Sequence, residues 1–161
     1  MSLPKQAKTM RTITLEEHYA TPAFLDGPAR SLKERAKGPE IRMRRVPELL
    51  CDLDEHRISN MDAAGIDVQV LSLTAPGTEQ LNGAEAIADA RTINDFLAQA
   101  ISRHPDRFAG FATLPTAVPE AAGGELERTV QTYGFKGALI NGHVQGRYLD
   151  DPFFWPILER A

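Results

Sequence analysis

Arg11-Thr-Ile-Thr-Leu-Glu-Glu-His-Tyr-Ala-Thr-Pro22 reads as a β-strand that ends by presenting a carboxylate and an imidazole together. Side chains alternate along a strand, so Thr12, Thr14, Glu16 and His18 are expected on one face and Ile13, Leu15 and Glu17 on the other. Glu16 and His18 are then neighbours on one surface. A carboxylate oxygen and a neutral imidazole nitrogen are both ordinary ligands of a divalent cation, so Glu-x-His at a strand end makes half of a metal site. The same residues also suit a solvated strand end, and a three-residue pattern occurs often by chance. The rest of the chain decides between these.

Downstream, residues 20–50 carry Pro22, Gly27, Pro28, Gly38, Pro39 and Pro47 among many charges, with no sustained period. They read as a long insertion leaving the strand end that holds His18, a place where lids are found. Phe24 and Leu25 could cover a ligand there or pack against the rim. A helix is expected over 52–64, with Asp52 or Asp54 as its cap and Gly65 as its stop. Residues 67–73 read as a strand apolar on both faces near its end, as when helices cover one side and a closed core the other. Its exit, Thr74-Ala-Pro-Gly77, is a turn.

Ile87, Ala90, Ile93, Asn94, Leu97 and Ile101 recur at helical intervals, which predicts a helix over 84–103 stopped by Pro105. Residues 108–114 form the next expected strand, closed by Pro115. Pro119 opens a helix that Gly134 ends, 136–141 is a fourth strand, 142–151 is a loop, and Pro152 begins one more helix. His56 and His104 receive no chemical role from this pattern, and His143 reads as a surface residue. Phe153, Phe154 and Trp155 are expected to pack the last helix onto the sheet.

Alternating strands and helices imply an α/β fold with a parallel sheet and right-handed crossovers. No Gly-x-Gly-x-x-Gly follows a strand, which leaves a dinucleotide-binding sheet unsupported. A barrel accounts for more, because Thr74, Pro115 and Asn141 follow strands in loops that would converge with His18 at one C-terminal face. A (β/α)8 TIM barrel needs eight strands and commonly about 250 residues, whereas about four strands are expected here. The reading is therefore the N-terminal half of such a barrel, with residues 1–10 as a leader or disordered segment and 11–161 as a partial barrel domain.

Composition bounds the partners. The 161 residues are 42% hydrophobic and 25% charged with a formal net charge of -4, ordinary for a soluble globular domain. No basic cluster is interleaved with aromatics, so neither nucleic acid nor a membrane is expected as partner. Arg42-Met-Arg-Arg45 is short and reads as a solvated loop face. Cys51 is the single cysteine, which rules out an intrachain disulfide and fits a reducing cytoplasm.

Four blocks carry a resemblance: Leu15-Glu-Glu-His-Tyr-Ala-Thr-Pro22, Leu71-Ser-Leu-Thr-Ala-Pro76, His104-Pro-Asp-Arg-Phe-Ala-Gly-Phe-Ala-Thr-Leu-Pro115 and Gly134-Phe-Lys-Gly-Ala-Leu-Ile-Asn-Gly142. In this order they resemble the amidohydrolase superfamily, and within it the aromatic-acid decarboxylase branch that includes gamma-resorcylate and 2,3-dihydroxybenzoate decarboxylases. The resemblance implies a lyase with one divalent metal ion, zinc or manganese, and no organic cofactor. It would remove carbon dioxide from a small ortho-hydroxy aromatic acid, usually as a homo-oligomer. It further implies Glu16 and His18 as metal ligands, Asn141 as a residue lining the substrate pocket and Thr74 as a weaker candidate for the same role. In relatives the remaining ligands and the proton donor come from later strands, so the catalytic acid is not identified in this chain and the chain alone should hold metal weakly. A metal-dependent hydrolase of a lactone, ester or amide shares every residue available here. A fragment that serves in assembly without turnover is the reading outside enzymology.

Overall fold

The computed structural model describes residues 10–161; the expected leader, apart from Met10, lies outside the described residues. Three strands, β1 (Ile13–Tyr19), β2 (Val68–Leu73) and β3 (Phe108–Gly110), form a parallel sheet in the order β1-β2-β3. The helices are α1 (Pro22–Asp26), α2 (Arg30–Ala36), α3 (Val46–Cys51), α4 (Glu55–Ala64), α5 (Gly83–Arg103), α6 (Pro119–Tyr133) and α7 (Trp155–Leu158). The α/β class and the parallel sheet read from the sequence are thus those of the structure. No helix among the described residues is long and apolar enough to cross a membrane.

The expected helix stops hold, because Gly65 and Gly134 both take the left-handed conformation, at φ 70° and 69°, that a residue with a side chain adopts only under strain. Of the stripe that the period marks on α5, Ala90, Ile93, Asn94 and Leu97 are buried, Ile101 is half-buried and Ile87 is exposed, while Ala86 and Ala100 are buried in addition. The 20–50 stretch differs from the loop expected of it. It forms α1, α2, a 3-10 turn at Ile41–Met43 and α3, with Phe24 and Leu25 both buried. Each helix is under two turns or close to it, too short for a period to show in sequence.

The fourth strand is reduced to one bridge between Ala112 and Ala138. Lys136 N–H donates to the carbonyl of Gly110 at 2.9 Å and Leu139 N–H to that of Ala112 at 3.0 Å, so the run lies where a fourth strand would. Gly137, at φ 141°, breaks its extended geometry. β3 also ends early, because the Thr113 backbone is satisfied by a side chain. Asn94 Oδ1 accepts from Thr113 N–H at 2.9 Å, and Asn94 Nδ2 donates to the Thr113 carbonyl at 2.9 Å. Of the three aromatics expected to pack the last helix, Phe154 is fully buried, but Phe153 and Trp155 are exposed. α7 has a single turn and one buried stripe, shared by Phe154 and Ile157.

Sheet register places the core. Ile13 pairs with Val68 and Thr14 with Gln69, while Glu17, His18 and Tyr19 pair with Leu71, Ser72 and Leu73. Between Thr14 and Glu17 β1 carries one residue more than β2, a β-bulge. Gly110, in register with Leu71, faces α5: a Cβ there would stand 2.9 Å from both Ile101 and Leu97. Glu17 and Tyr19 therefore share the helix-covered face, and His18 shares the opposite one with Ile13.

Candidate functional site

The bulge changes what alternation predicted for β1. Because an extra residue flips the face of everything beyond it, Thr14 joins Glu17 and Tyr19 on the helix side rather than lying with His18. Burial follows: Tyr19 is fully buried and Thr14 and Glu17 are half-buried, while Ile13, Leu15, Glu16 and His18 are exposed. Glu16 sits within the bulge at φ 58°, a left-handed conformation rare for a residue with a side chain. The regular strand of the sequence reading thus gives way to a bent end, with Glu16 at the bend and His18 beyond it.

His18 is oriented from two sides. Its Nδ1 lies 3.2 Å from Ser72 Oγ, on the strand partner in register with it. Among the described residues that contact leaves Nε2 as the ring nitrogen without a protein partner, the arrangement common to metal-bound histidines. Its main-chain carbonyl accepts from Arg57 Nη2 at 2.8 Å. Arg57 also donates from Nε to the carbonyl of Asp52 at 2.8 Å and from Nη1 to Gln69 Oε1 at 3.2 Å, clamping α4 to β1 and β2. Burial lowers the Arg57 guanidinium from its ordinary value, and the charges of Glu17 and Asp52 oppose this. A cavity of about 340 Å³ between β1 and α4 is lined by Glu17, His18, Asp52, His56 and Arg57 among others.

Thr74 follows β2 directly and donates its N–H to the carbonyl of Tyr19 at 2.9 Å, so the exit of β2 is laced to the end of β1. Asn141 lies farther along the same rim, where its N–H donates to Glu79 Oε1 at 2.8 Å and its Nδ2 to the same oxygen at 3.3 Å. Glu79 is completely buried, and its other oxygen, Oε2, has no hydrogen-bond partner among the described residues. Burial raises the Glu79 carboxyl above the ordinary range, against the lowering effect of the Asn141 N–H. Gln80 donates to the carbonyl of His143 at 2.8 Å, adding a second tie between these loops. His143 is exposed, as its loop position suggested.

Glu16 and His18 are therefore grouped on one strand end and Thr74 is bound to its neighbour, while Asn141 belongs to a separate pair with Glu79. A groove of about 730 Å³, lined by Leu114, Leu126, Val130, Ile140 and Ile157 among others, holds none of the four. Among the described residues no group of three or more His, Cys, Asp or Glu side chains could hold a metal ion. A carboxylate and an imidazole whose second nitrogen is already engaged are a chemically fitting donor pair for a divalent cation, but incomplete for a catalytic one, which commonly has three protein ligands. Ser72, Arg57 and Glu79 escaped the sequence reading. Only Glu79 left a trace there, as an acid two residues beyond the glycine of a Pro-Gly turn.

The sequence profile described as "Amidohydrolase" matches residues 43–161. Gamma-resorcylate decarboxylase from Polaromonas sp. strain JS666 is 40% identical over 154 residues, covering 91% of this chain and 45% of that protein. The corresponding enzyme of Rhizobium radiobacter is 38% identical over 146 residues, covering 90% and 43%. Among solved structures, 5-carboxyvanillate decarboxylase from Novosphingobium aromaticivorans DSM 12444, complexed with manganese and 4-hydroxy-3-methoxy-5-nitrobenzoic acid, superposes with a TM-score of 0.87 at 38% identity, covering 94% of this chain and 47% of that one. Dihydroxybenzoic acid decarboxylase from Polaromonas sp. JS666, with bound manganese and 2-nitroresorcinol, gives 0.82 at 37% identity, covering 94% and 46%. The chain spans a little under half the length of these relatives. With a profile match over most of its length and a sheet that superposes on theirs, the chain belongs to the amidohydrolase family.

Proposed function

We propose that the protein carrying this chain catalyses metal-dependent, non-oxidative decarboxylation of an ortho-hydroxy aromatic carboxylic acid. The observation that carries this is the bent end of β1, where Glu16 stands in a left-handed bulge and His18 has its Nδ1 engaged by Ser72. Glu16 and His18 would hold one divalent ion, manganese or zinc. When bound, the ion would supply positive charge for the substrate carboxylate and the neighbouring phenolic oxygen. The reading is supported by the relatives cited, gamma-resorcylate and 5-carboxyvanillate decarboxylases by name, and by the manganese in the cited structures.

This chain's residues supply position. Ser72 holds the His18 ring, Arg57 holds the His18 main chain, and Glu79 holds Asn141 at the rim. Thr74 and Asn141 are assigned to the substrate pocket. The third ligand and the acid that protonates the ring carbon are not assigned to any of the described residues. Cytoplasmic location and association into homo-oligomers complete the reading, the latter because Ile13 and Leu15 on the inner face of the sheet are 53% and 63% exposed.

The test is product analysis on the intact gene product, loaded with manganese and supplied with 2,6-dihydroxybenzoate under nitrogen. The expected products are carbon dioxide and resorcinol in equal amounts, with one proton taken up per carboxylate lost. Turnover of a lactone or ester with release of acid, and no carbon dioxide from the benzoate, would place the protein among the hydrolases instead.

A further inference from the structure

Among the described residues Glu79 is the one acid that the fold encloses completely, and its part beyond holding Asn141 at the rim is left open by the proposed function. Enclosing it has required a specific arrangement. Gly77, at φ 65°, has no Cβ, and a Cβ there would stand 2.0 Å from Glu79 Oε2 and 2.7 Å from Asn141 Nδ2. The turn that follows Thr74 is thus shaped around the contact between Glu79 and Asn141. Both hydrogen bonds from Asn141 reach the same carboxyl oxygen, one from the main chain and one from the side-chain amide.

An amide carries its oxygen and nitrogen on opposite sides of one carbon, so anchoring Nδ2 on Glu79 sets Oδ1 on the side away from it. An acceptor at Oε1 that already takes the Asn141 main-chain N–H repels the reversed amide, since Oδ1 would then face an oxygen without a proton between them. No protein donor reaches Asn141 Oδ1 among the described residues.

We propose that Glu79 is a positioning residue that fixes the Asn141 amide so that Oδ1 serves as a hydrogen-bond acceptor for a ligand hydroxyl. This rests on the assignment of Asn141 to the substrate pocket and deepens it: the rim selects an aromatic acid carrying an O–H that is free to donate and discriminates against one in which that oxygen is methylated. The selection follows from chemistry, because a site built around an unpaired acceptor loses more on meeting an ether than an apolar wall would.

The experiment compares binding of 2,6-dihydroxybenzoate and of its mono-methyl ether by calorimetry to the manganese-loaded intact gene product. The set comprises wild type, Glu79→Leu, Asn141→Leu, the double variant and Glu79→Gln, the last of which keeps an acceptor at Oε1. Wild type and Glu79→Gln are expected to prefer the dihydroxy acid by about tenfold. Each leucine variant should bring the ratio to within about threefold, and the double variant should lower it no further, as for two residues acting through one contact. A ratio near one in wild type, or a ratio retained in Glu79→Leu but lost in Asn141→Leu, would overturn the proposal.

Amide proton exchange of the Asn141 side chain, followed by NMR without ligand, separates this from the functional reading. Slow exchange in wild type and Glu79→Gln, lost in Glu79→Leu, supports the positioning even where neither benzoate binds, an outcome that would sink the aromatic-acid assignment. Fast exchange in wild type overturns the positioning itself, whatever the benzoates do.

Discussion

Arg57 Nη2 donates to the main-chain carbonyl of His18 at 2.8 Å, so a guanidinium on α4 holds the backbone of the strand end that carries the proposed metal ligand. The same side chain satisfies the carbonyls of Asp52 and Leu49 and the amide of Gln69. Replacing it removes donors from acceptors that are partly shielded from water, each costing on the order of 1 kcal/mol or more. Arg57→Met, which keeps much of the volume, should therefore lower unfolding free energy by about 2–3 kcal/mol. Arg57→Lys should recover only part of the loss, because an ammonium cannot reach acceptors spread around a planar fork. Urea titration followed by circular dichroism measures both.

Glu16 occupies its left-handed conformation at an energetic cost, of order 1 kcal/mol for a residue with a Cβ. Glycine adopts that conformation freely. Glu16→Gly should therefore raise stability by about 1 kcal/mol while weakening manganese binding, whereas Glu16→Ala should weaken binding with no gain in stability. Opposite movements of the two quantities in one variant would mark the strain as maintained for the site. Thermal unfolding and metal titration on the same samples read them out.

The Glu79 carboxyl is raised by burial, and the sign of its effect on stability follows. Its neutral form is favoured in the fold, so the unfolded chain gives up this proton first as pH rises. The associated stability is complete below the ordinary glutamate range near about 4.3 and is lost as pH climbs through the raised folded value. Glu79→Gln removes the titration and should flatten that decline. Urea midpoints measured between acid and neutral pH for both proteins, as a difference, isolate it from other groups.

Gly77→Ala forces a methyl group into the space of Glu79 Oε2 and a side chain onto a positive φ. A loss of about 2–4 kcal/mol is expected, larger than for alanine at Gly124, where a Cβ meets nothing within 4 Å. Chemical denaturation of the two variants side by side checks it.

Periodicity made the scaffold legible. α5 and α6 were readable because their buried residues recur at helical spacing over many turns and a left-handed glycine follows α6. α1 to α3 were not, since five to seven residues give a period no room to repeat. The bulge in β1 leaves no sequence mark either: an acid at φ 58° looks like any other acid, and the alternation expected from Thr12 to His18 fails at that point. The fourth strand fell short through Gly137, and β3 through Asn94, whose side chain substitutes for a strand neighbour at Thr113. Spacing alone groups Asn94 with the apolar positions of its helix, and it is buried, but it also bonds Glu125, which Arg128 ties on to Asp95. Glu16 and His18 could be named from residue type and order. What holds His18, namely Ser72 and Arg57, could not, because those contacts join residues 54 and 39 positions apart.

Manganese binding followed by the loss of the free-ion electron paramagnetic resonance signal tests most directly whether Glu16 and His18 grip a divalent cation. In the intact gene product, wild type should take up one ion per chain, and Glu16→Ala and His18→Ala should each weaken uptake by about tenfold or more. Equal uptake by wild type and the doubly substituted Glu16→Ala, His18→Ala protein would contradict it.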